Sequence, residues 1–115
     1  MNDVPVFYMV RSWVSPDGGQ AYLDWLERKH MADILSQPGV LWARRINLDQ
    51  ADDRHWKSIL LIYGFVSRDA LNTYLASPSR QSYWEELEQY ADVHTSERFW
   101  GDVDVVLDKP VEQGV

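Results

Sequence analysis

Two long apolar runs constrain most strongly what this chain can fold into. Residues 4–13 are apolar on both alternations of an extended strand, apart from Arg11 and Ser12. Residues 59–66 contain no charged side chain. A strand with one face in water alternates apolar and polar residues, whereas a strand that is covered on both faces does not. We therefore expect both runs to be central strands of one sheet.

Two further segments predict the edge strands of that sheet. Residues 40–48 mix apolar and polar side chains on both alternations, and the polar stretch 49–54 then turns the chain back towards the second apolar run. Residues 98–107 place apolar side chains on one alternation and mainly polar ones on the other. Alternating or mixed polarity is typical of strands that are only partly covered.

Helical periodicity separates these strands. Asp17 and Gln20 have the spacing of a capping box and predict the start of a first helix. A second helical stretch begins at Ser67, and a third begins at Ser77, with Pro78 at the first helical position, where proline is favoured. The stripe that the first helix should bury is Leu23, Leu26, His30 and Ile34.

The element order is β-α-β-β-α-β, which is that of the ferredoxin-like α+β fold. Its antiparallel four-stranded sheet has the order 4-1-3-2, so strands one and three lie in the middle, as their apolar runs require. The helices cover one face of the sheet. A chain of 115 residues closes one core and has no length for a second. We expect one domain over residues 1–107 and a C-terminal tail over residues 108–115.

The second face of the sheet also needs a cover. Strands one and three are apolar on that face too, and one chain has helices for only one face. A large exposed apolar face marks an interaction surface, and a second copy of the chain supplies a matching one. The sequence therefore predicts a homodimer in which two sheets pack face to face.

Charge and composition exclude several classes of partner. The formal net charge of −7 and the absence of a basic stripe argue against nucleic acid, whose phosphates the protein would repel. The absence of cysteine rules out disulfides and thiol chemistry, and is consistent with a reducing compartment. The first apolar run lacks the flanks of a signal peptide and the length of a membrane span. We expect a cytoplasmic protein without a membrane partner.

One stretch resembles a known family. Trp25, His30, Pro38-Gly39 and the Ala43-Arg44-Arg45 strand follow in the order found in EthD-like and related members of the dimeric α/β-barrel superfamily. The segment from Tyr74 to Pro78 is similar to the Tyr-x-x-x-Pro pattern that relatives carry at the second helix. The resemblance covers about residues 4–107.

The resemblance implies a homodimeric barrel with a small-molecule pocket in each subunit, between the sheet and the helices. The superfamily includes cofactor-independent monooxygenases, polyketide cyclases, lactone isomerases and haem-handling enzymes. Two departures limit what can be transferred. The cyclase-like Pro-x-His pattern is Pro78-Ser-Arg80 here, and the first strand lacks the asparagine of haem-degrading relatives.

His30 is the leading candidate for catalysis because it lies on the buried stripe of the first helix and an imidazole exchanges protons near neutral pH. The alternative is a core histidine bonded to a backbone carbonyl. Arg44 and Arg45 are consecutive in a strand and must point to opposite faces, so one of them could bind a carboxylate or phenolate. The alternative for either is a surface or interface salt bridge.

Aromatic residues supply further candidates, although most aromatics at such spacings belong to the core. Tyr8 and Tyr63 on the central strands could donate a proton or stabilise an enolate oxygen. The tryptophans expected to line the pocket are Trp13, Trp25, Trp42 and Trp84. No metal site is expected, because His94 and Glu97 lack a third ligand.

The first hypothesis is a cofactor-free enzyme that performs proton transfer, in the isomerase, lyase or cyclase manner, on a small aromatic or lactone-like anion. His30 would be the acid or base, Arg44 or Arg45 the anion anchor, and Tyr63 or Tyr8 the oxyanion stabiliser. A non-catalytic ligand-binding or accessory homodimer is the alternative from another class. A cofactor-independent monooxygenase is a third.

Overall fold

The computed structural model describes residues 5–111, and its four strands form one antiparallel sheet. The sheet order is β2-β3-β1-β4, so the two apolar runs lie in the middle and the predicted ferredoxin-like fold is confirmed. The strands are β1 (Val6–Val14), β2 (Val40–Ala51), β3 (Lys57–Phe65) and β4 (His94–Asp102).

The helices pack on one face of this sheet. The first helical segment is continuous, but a single π-helical turn over Leu26–His30 interrupts its α-helical pattern. The α-helices are α1 (Gly19–Trp25), α2 (Met31–Leu35), α3 (Arg68–Leu75) and α4 (Pro78–Leu87), and a 3₁₀ turn over Glu88–Tyr90 follows α4.

The predicted bounds of the last strand are wrong. We expected residues 98–107, but β4 begins at His94 and ends at Asp102. Its partner β1 sets both limits, because Val14 pairs with His94 and Val6 pairs with Asp102. Beyond Asp102 the amide of Val103 still donates to the carbonyl oxygen of Pro5 at 3.2 Å, but proline has no amide hydrogen to continue the ladder, and the chain continues without regular structure to residue 111. The division between domain and tail at residue 107 stays a prediction, and residues 112–115 and Val4 lie outside the described residues.

The predicted start of the first helix is also wrong in its detail. Gly18, not Asp17, is the N-cap, and no side chain caps this helix. Gly18 has a φ of 90°, a left-handed conformation that glycine adopts without steric cost. The helix therefore begins one residue later than a cap at Asp17 would require. The predicted starts of the other two helices are confirmed, and both serines act as caps, since Ser67 accepts from the amide of Ala70 and Ser77 accepts from that of Arg80.

The core lies between the helices and the sheet. Alternate residues of β1 from Val6 to Val14 are buried on the helix side, together with Leu61, Tyr63 and Phe65 of β3. The opposite sheet face carries residues that are only half-buried in one chain. These are Phe7, Met9, Arg11 and Trp13 of β1 and Leu60 and Ile62 of β3. We call this the open sheet face.

Within residues 5–111, no helix has both the length and the apolar character needed to cross a membrane. The expected cytoplasmic location stays a prediction.

Candidate functional site

The π-helical turn determines where His30 lies. A π turn adds one residue to a helical turn, and such turns occur frequently at functional sites. Here the turn ends at His30, which is 7% exposed and therefore buried between helix and sheet. The imidazole stacks on Trp25 with ring centres 4.5 Å apart and an interplanar angle of 14°. The ring of Tyr83 meets it edge-on at 5.2 Å. The imidazole is thus held in one orientation by two aromatic side chains.

The electrostatic environment keeps this imidazole neutral. Burial, assisted by the positive charge of Arg98, lowers the pKa of His30 to about 4, although Glu86 and Asp33 oppose the shift. The ring atom Nδ1 is buried and has no hydrogen-bond partner within residues 5–111. A core histidine normally satisfies both nitrogens, so the carbonyl-bonded alternative does not describe Nδ1. His30 therefore presents a neutral ring nitrogen with nothing bound to it.

The imidazole lines a small cavity between the helices and the sheet. The cavity has a volume of about 20 Å³, which is room for about one water molecule. Much of its wall consists of the tyrosine rings of Tyr8, Tyr22, Tyr74 and Tyr83. Burial raises the pKa of Tyr22 and Tyr74, so these phenols stay protonated at neutral pH. The hydroxyls of Tyr22 and Ser12 already share a hydrogen bond of 2.9 Å, which leaves Tyr74 as the freer donor.

Two arginines supply positive charge to the same cavity. Arg80 comes from α4 and Arg98 from β4, and both line the cavity with His30. The Nε of Arg80 is buried and lacks a hydrogen-bond partner within residues 5–111. Among the described residues that line the cavity there is no carboxylate. The cavity is thus electropositive in a protein whose net charge is −7, and it favours an anion.

The structure places the predicted arginines elsewhere. Arg45 points to the helix side, but it donates to the backbone oxygen of Leu23 at 3.0 Å and pairs with Glu27 at 3.2 Å, so it ties β2 to α1. Arg44 points to the open sheet face, where its guanidinium lies over the ring of Trp42. Neither lines the cavity next to His30. The alternation of the strand predicted their opposite directions, but not the contacts that occupy Arg45.

The predicted aromatic residues are divided between the two faces. Tyr8 and Trp84 line the cavity. Trp25 does not line the cavity, but its ring stacks on that of His30, which does. Tyr63 is fully buried behind Tyr8 and does not reach the cavity, and its hydroxyl has no partner within the described residues.

Trp13 and Trp42 belong to the open sheet face instead. Trp13 follows the half-buried alternation of β1, and Trp42 contacts Phe7 edge-on at 5.1 Å. They therefore cannot line the cavity within one chain.

Sequence reasoning missed Arg80 and Arg98 as site residues. Arg98 pairs across the strands with Val10, which faces the helices, but the predicted strand began too late to reveal this register. Arg80 did carry a signal, because it stands where the cyclase-like pattern has histidine. Arg80 departs from the family pattern at this position, but it still lines the same cavity.

No group of three histidine or carboxylate side chains in the part of the chain that the structure describes could hold a metal ion. His94 stacks on Tyr22 at 4.2 Å, and its Nδ1 lies 2.7 Å from the carbonyl oxygen of Tyr90. Its role in the structure is therefore packing against α1.

Comparison with solved structures shows that other proteins share this fold. A single-residue mutant of SnoaB from Streptomyces nogalater, a cofactor-independent oxygenase, superposes with a TM-score of 0.67 at 22% identity over 94% of this chain and 100% of that one. An EthD family protein from Bacillus halodurans gives 0.59 at 10% identity over 84% and 96%. The chain has the fold of these proteins.

A third structure has the same ferredoxin-like fold. It comes from Nitrosomonas europaea and is provisionally assigned as an antibiotic biosynthesis monooxygenase, with a TM-score of 0.61 at 15% identity over 90% of this chain and 94% of that one. No protein-family model and no curated protein sequence matches the chain. At these identities the resemblance stated for residues 25–45 is confirmed at the level of the fold.

Proposed function

We propose that the protein is a cofactor-independent enzyme that binds a small, planar, anionic aromatic substrate and removes a proton from it with His30. One observation carries the proposal. His30 and Arg80 line one electropositive cavity, and each has a buried nitrogen, Nδ1 and Nε respectively, without a partner within residues 5–111. A buried polar group without a partner costs about 1–3 kcal/mol, so two such side chains at one cavity favour a ligand that satisfies both.

The chemistry follows from the charges around the cavity. A substrate with an acidic C–H bond next to a carbonyl gives its proton to the neutral imidazole. The electron pair of that bond moves to the carbonyl oxygen, and the enolate charge is stabilised by the guanidinium of Arg98 or Arg80 and by a hydrogen bond from Tyr74. The bound anion also offsets the charge of Arg98, one of the causes of the low pKa of His30. Return of the proton to another atom completes an isomerisation.

Oxygenation is the second candidate, and the likeness to SnoaB favours it. The same carbanion can pass electrons to dioxygen, so that a CH₂ group becomes a carbonyl. One oxygen atom enters the product and the other leaves as water, which balances the two hydrogens lost. His30 removes the first proton in either reaction. Uptake of oxygen separates this candidate from isomerisation, and a non-catalytic binding protein would give neither reaction.

The test of proton removal uses phenylpyruvate, an aromatic carboxylate with acidic CH₂ protons. The enzyme should speed the exchange of these protons for deuterium in D₂O, followed by NMR. Replacement of a general base typically costs about 100-fold or more, so His30→Gln should lose at least that much of the exchange rate. His55→Asn is the control, because His55 is exposed and does not line the cavity, and it should stay within about twofold. Exchange by His30→Gln within a few-fold of the parent rate would contradict the assignment.

The test of oxygenation uses anthrone-2-carboxylate, which carries the negative charge that the proposed site requires, and an oxygen electrode. If the second candidate holds, the protein consumes one O₂ for each anthraquinone-2-carboxylate formed, and His30→Gln does not. Proton exchange without oxygen uptake restricts the function to isomerase-type chemistry. If neither substrate reacts but both bind, the protein belongs to the non-catalytic class.

The proposal includes a homodimer. The open sheet face presents aromatic and aliphatic side chains that are half-buried in one chain, and no helix within residues 5–111 covers it. A second copy offers the same apolar surface by symmetry. In such a dimer Trp13 and Trp42 would pack between the sheets instead of lining the cavity.

A further inference from the structure

Trp84 separates the inner cavity from two outer clefts. It lines the inner cavity of about 20 Å³ and also both clefts, of about 290 Å³ and 240 Å³. Arg80 lines the first cleft and Arg98 lines the second. Trp84 is 41% exposed, a high value for a large aromatic residue. The side chain of Trp84 therefore forms a wall between the inner cavity and the two clefts.

Two arginines contact this wall. The guanidinium of Arg98 lies 4.2 Å from the ring centre of Trp84, and that of Arg80 lies 5.6 Å from it. Neither arginine forms a salt bridge with another residue in the range 5–111. The same two guanidinium groups line the inner cavity. Their charges are thus held by an aromatic ring and lie where a ligand would meet them.

We propose that Trp84 is the gate of the cavity and the residue that determines its specificity for planar aromatic carboxylates. The inner cavity is too small for such a ligand, whereas small-molecule sites usually have volumes of about 300–1,000 Å³. Outward rotation of the indole joins the inner cavity to the clefts. A carboxylate triggers that rotation because charge-assisted hydrogen bonds to a guanidinium are stronger than a cation–π contact at an exposed ring.

The gate makes charge a condition of entry. A neutral aromatic molecule of the same shape leaves the two arginines on Trp84, so the wall stays closed. This inference rests on the proposed location of the binding site, but it does not depend on proton removal by His30. The two ideas can therefore fail separately.

The first experiment observes the gate directly. The protein is labelled with 5-fluorotryptophan, and the ¹⁹F resonance of Trp84 is assigned by its loss in Trp84→Phe. On titration with 2-naphthoate this resonance should shift and saturate, while that of Trp42 on the opposite sheet face should not. The neutral isostere 2-naphthamide should bind at least tenfold more weakly. Naphthoate has no acidic C–H bond, so failure of the deuterium exchange test leaves this result unaffected.

The second experiment measures the rate of entry. Trp84→Ala should raise the association rate constant for 2-naphthoate at least fivefold, because the wall is absent. The matched control is Trp56→Ala, since Trp56 also stacks with an arginine, Arg54, at 3.7 Å, but does not line the cavity. The control should bind at the parent rate. Absence of naphthoate binding, a Trp84 resonance that does not move at saturation, or an unchanged association rate in Trp84→Ala would each overturn the proposal.

Discussion

At the scale of the residue, His30 couples the stability of the protein to its site. A neutral buried imidazole whose Nδ1 is unpartnered disfavours protonation, and the nearby Arg98 adds to this effect. His30 therefore resists protonation in the folded chain, whereas in the unfolded chain it is protonated at its ordinary pKa. The same feature that leaves a ring nitrogen available for a substrate makes the fold sensitive to acid.

The first prediction at this scale concerns pH. The pKa of His30 is lowered from 6.5 to about 4 on folding. The unfolded chain therefore binds a proton between these values and the folded chain does not, so stability is lost as the pH falls from 6.5 to 4. The lost free energy of unfolding should be about 3 kcal/mol. Urea unfolding at pH 7 and pH 4 measures it.

His30→Gln provides the reference for that measurement, because glutamine does not titrate. The difference in unfolding free energy between the parent protein and His30→Gln isolates the histidine from the carboxylates that also titrate in this range. Relative to His30→Gln, the parent protein should have a lower free energy of unfolding at pH 4 than at pH 7. An equal difference at both pH values would show that the imidazole titrates normally in the folded chain.

At the scale of the element, glycines on neighbouring strands leave room for two aromatic rings to pack on the open sheet face. On the open sheet face Phe7 pairs with Gly64 of β3 on one side and with Gly101 of β4 on the other. Trp42 pairs with Gly64 and covers it, and its ring contacts that of Phe7. A glycine without a side chain leaves space that the two aromatic rings fill.

The second prediction compares these two glycines. A Cβ at Gly64 would lie 2.6 Å from Cζ2 and 2.8 Å from Nε1 of Trp42, so Gly64→Ala must displace the indole. Such overpacking costs about 1–3 kcal/mol of stability. A Cβ at Gly101 meets no atom of residues 5–111 within 4 Å, so Gly101→Ala is a matched control on the other side of Phe7. Thermal unfolding of both variants measures the difference, and equal melting temperatures would contradict the packing of Trp42 over Gly64.

At the scale of the whole molecule, we expect one sheet face to determine the state of assembly. The helices cover one side of the sheet, and the open sheet face carries half-buried apolar side chains from both central strands. Burial of apolar surface is worth about 25 cal/mol per Å², so a face of this kind favours association. We expect the dimer interface to run across β1 and β3.

The third prediction tests that interface. Ile62 lies near the middle of β3 on the open sheet face, opposite Met9 of β1. Ile62→Lys should convert a dimer to a monomer in sedimentation velocity, because it places a charge in the apolar interface. Leu35→Lys is the control, since Leu35 is 43% exposed at the end of α2 on the helix side. A parent protein that sediments as a monomer would exclude the dimer.

Much of the fold was predictable because its signals are local. Two-sided apolarity indicated that β1 and β3 are central, and the helix starts at Ser67 and Ser77 followed from residue types and spacing. The ends of β4 were not predictable in this way, because its partner strand sets them. The uncapped start at Gly18 was missed because a left-handed glycine replaced the expected side-chain cap.

The sequence by itself determined the class of fold, the order of the sheet and the inward direction of His30, since periodicity acts over a few neighbouring residues. Only the tertiary structure decided which charges meet that imidazole. Arg80 and Arg98 reach the cavity from a helix and an edge strand, through a strand register and a helix position that no local pattern encodes. Arg45, predicted for that task, is already bound to α1. The buried helical stripe could be recognised from the sequence, whereas the electropositive cavity forms only where elements distant in sequence meet.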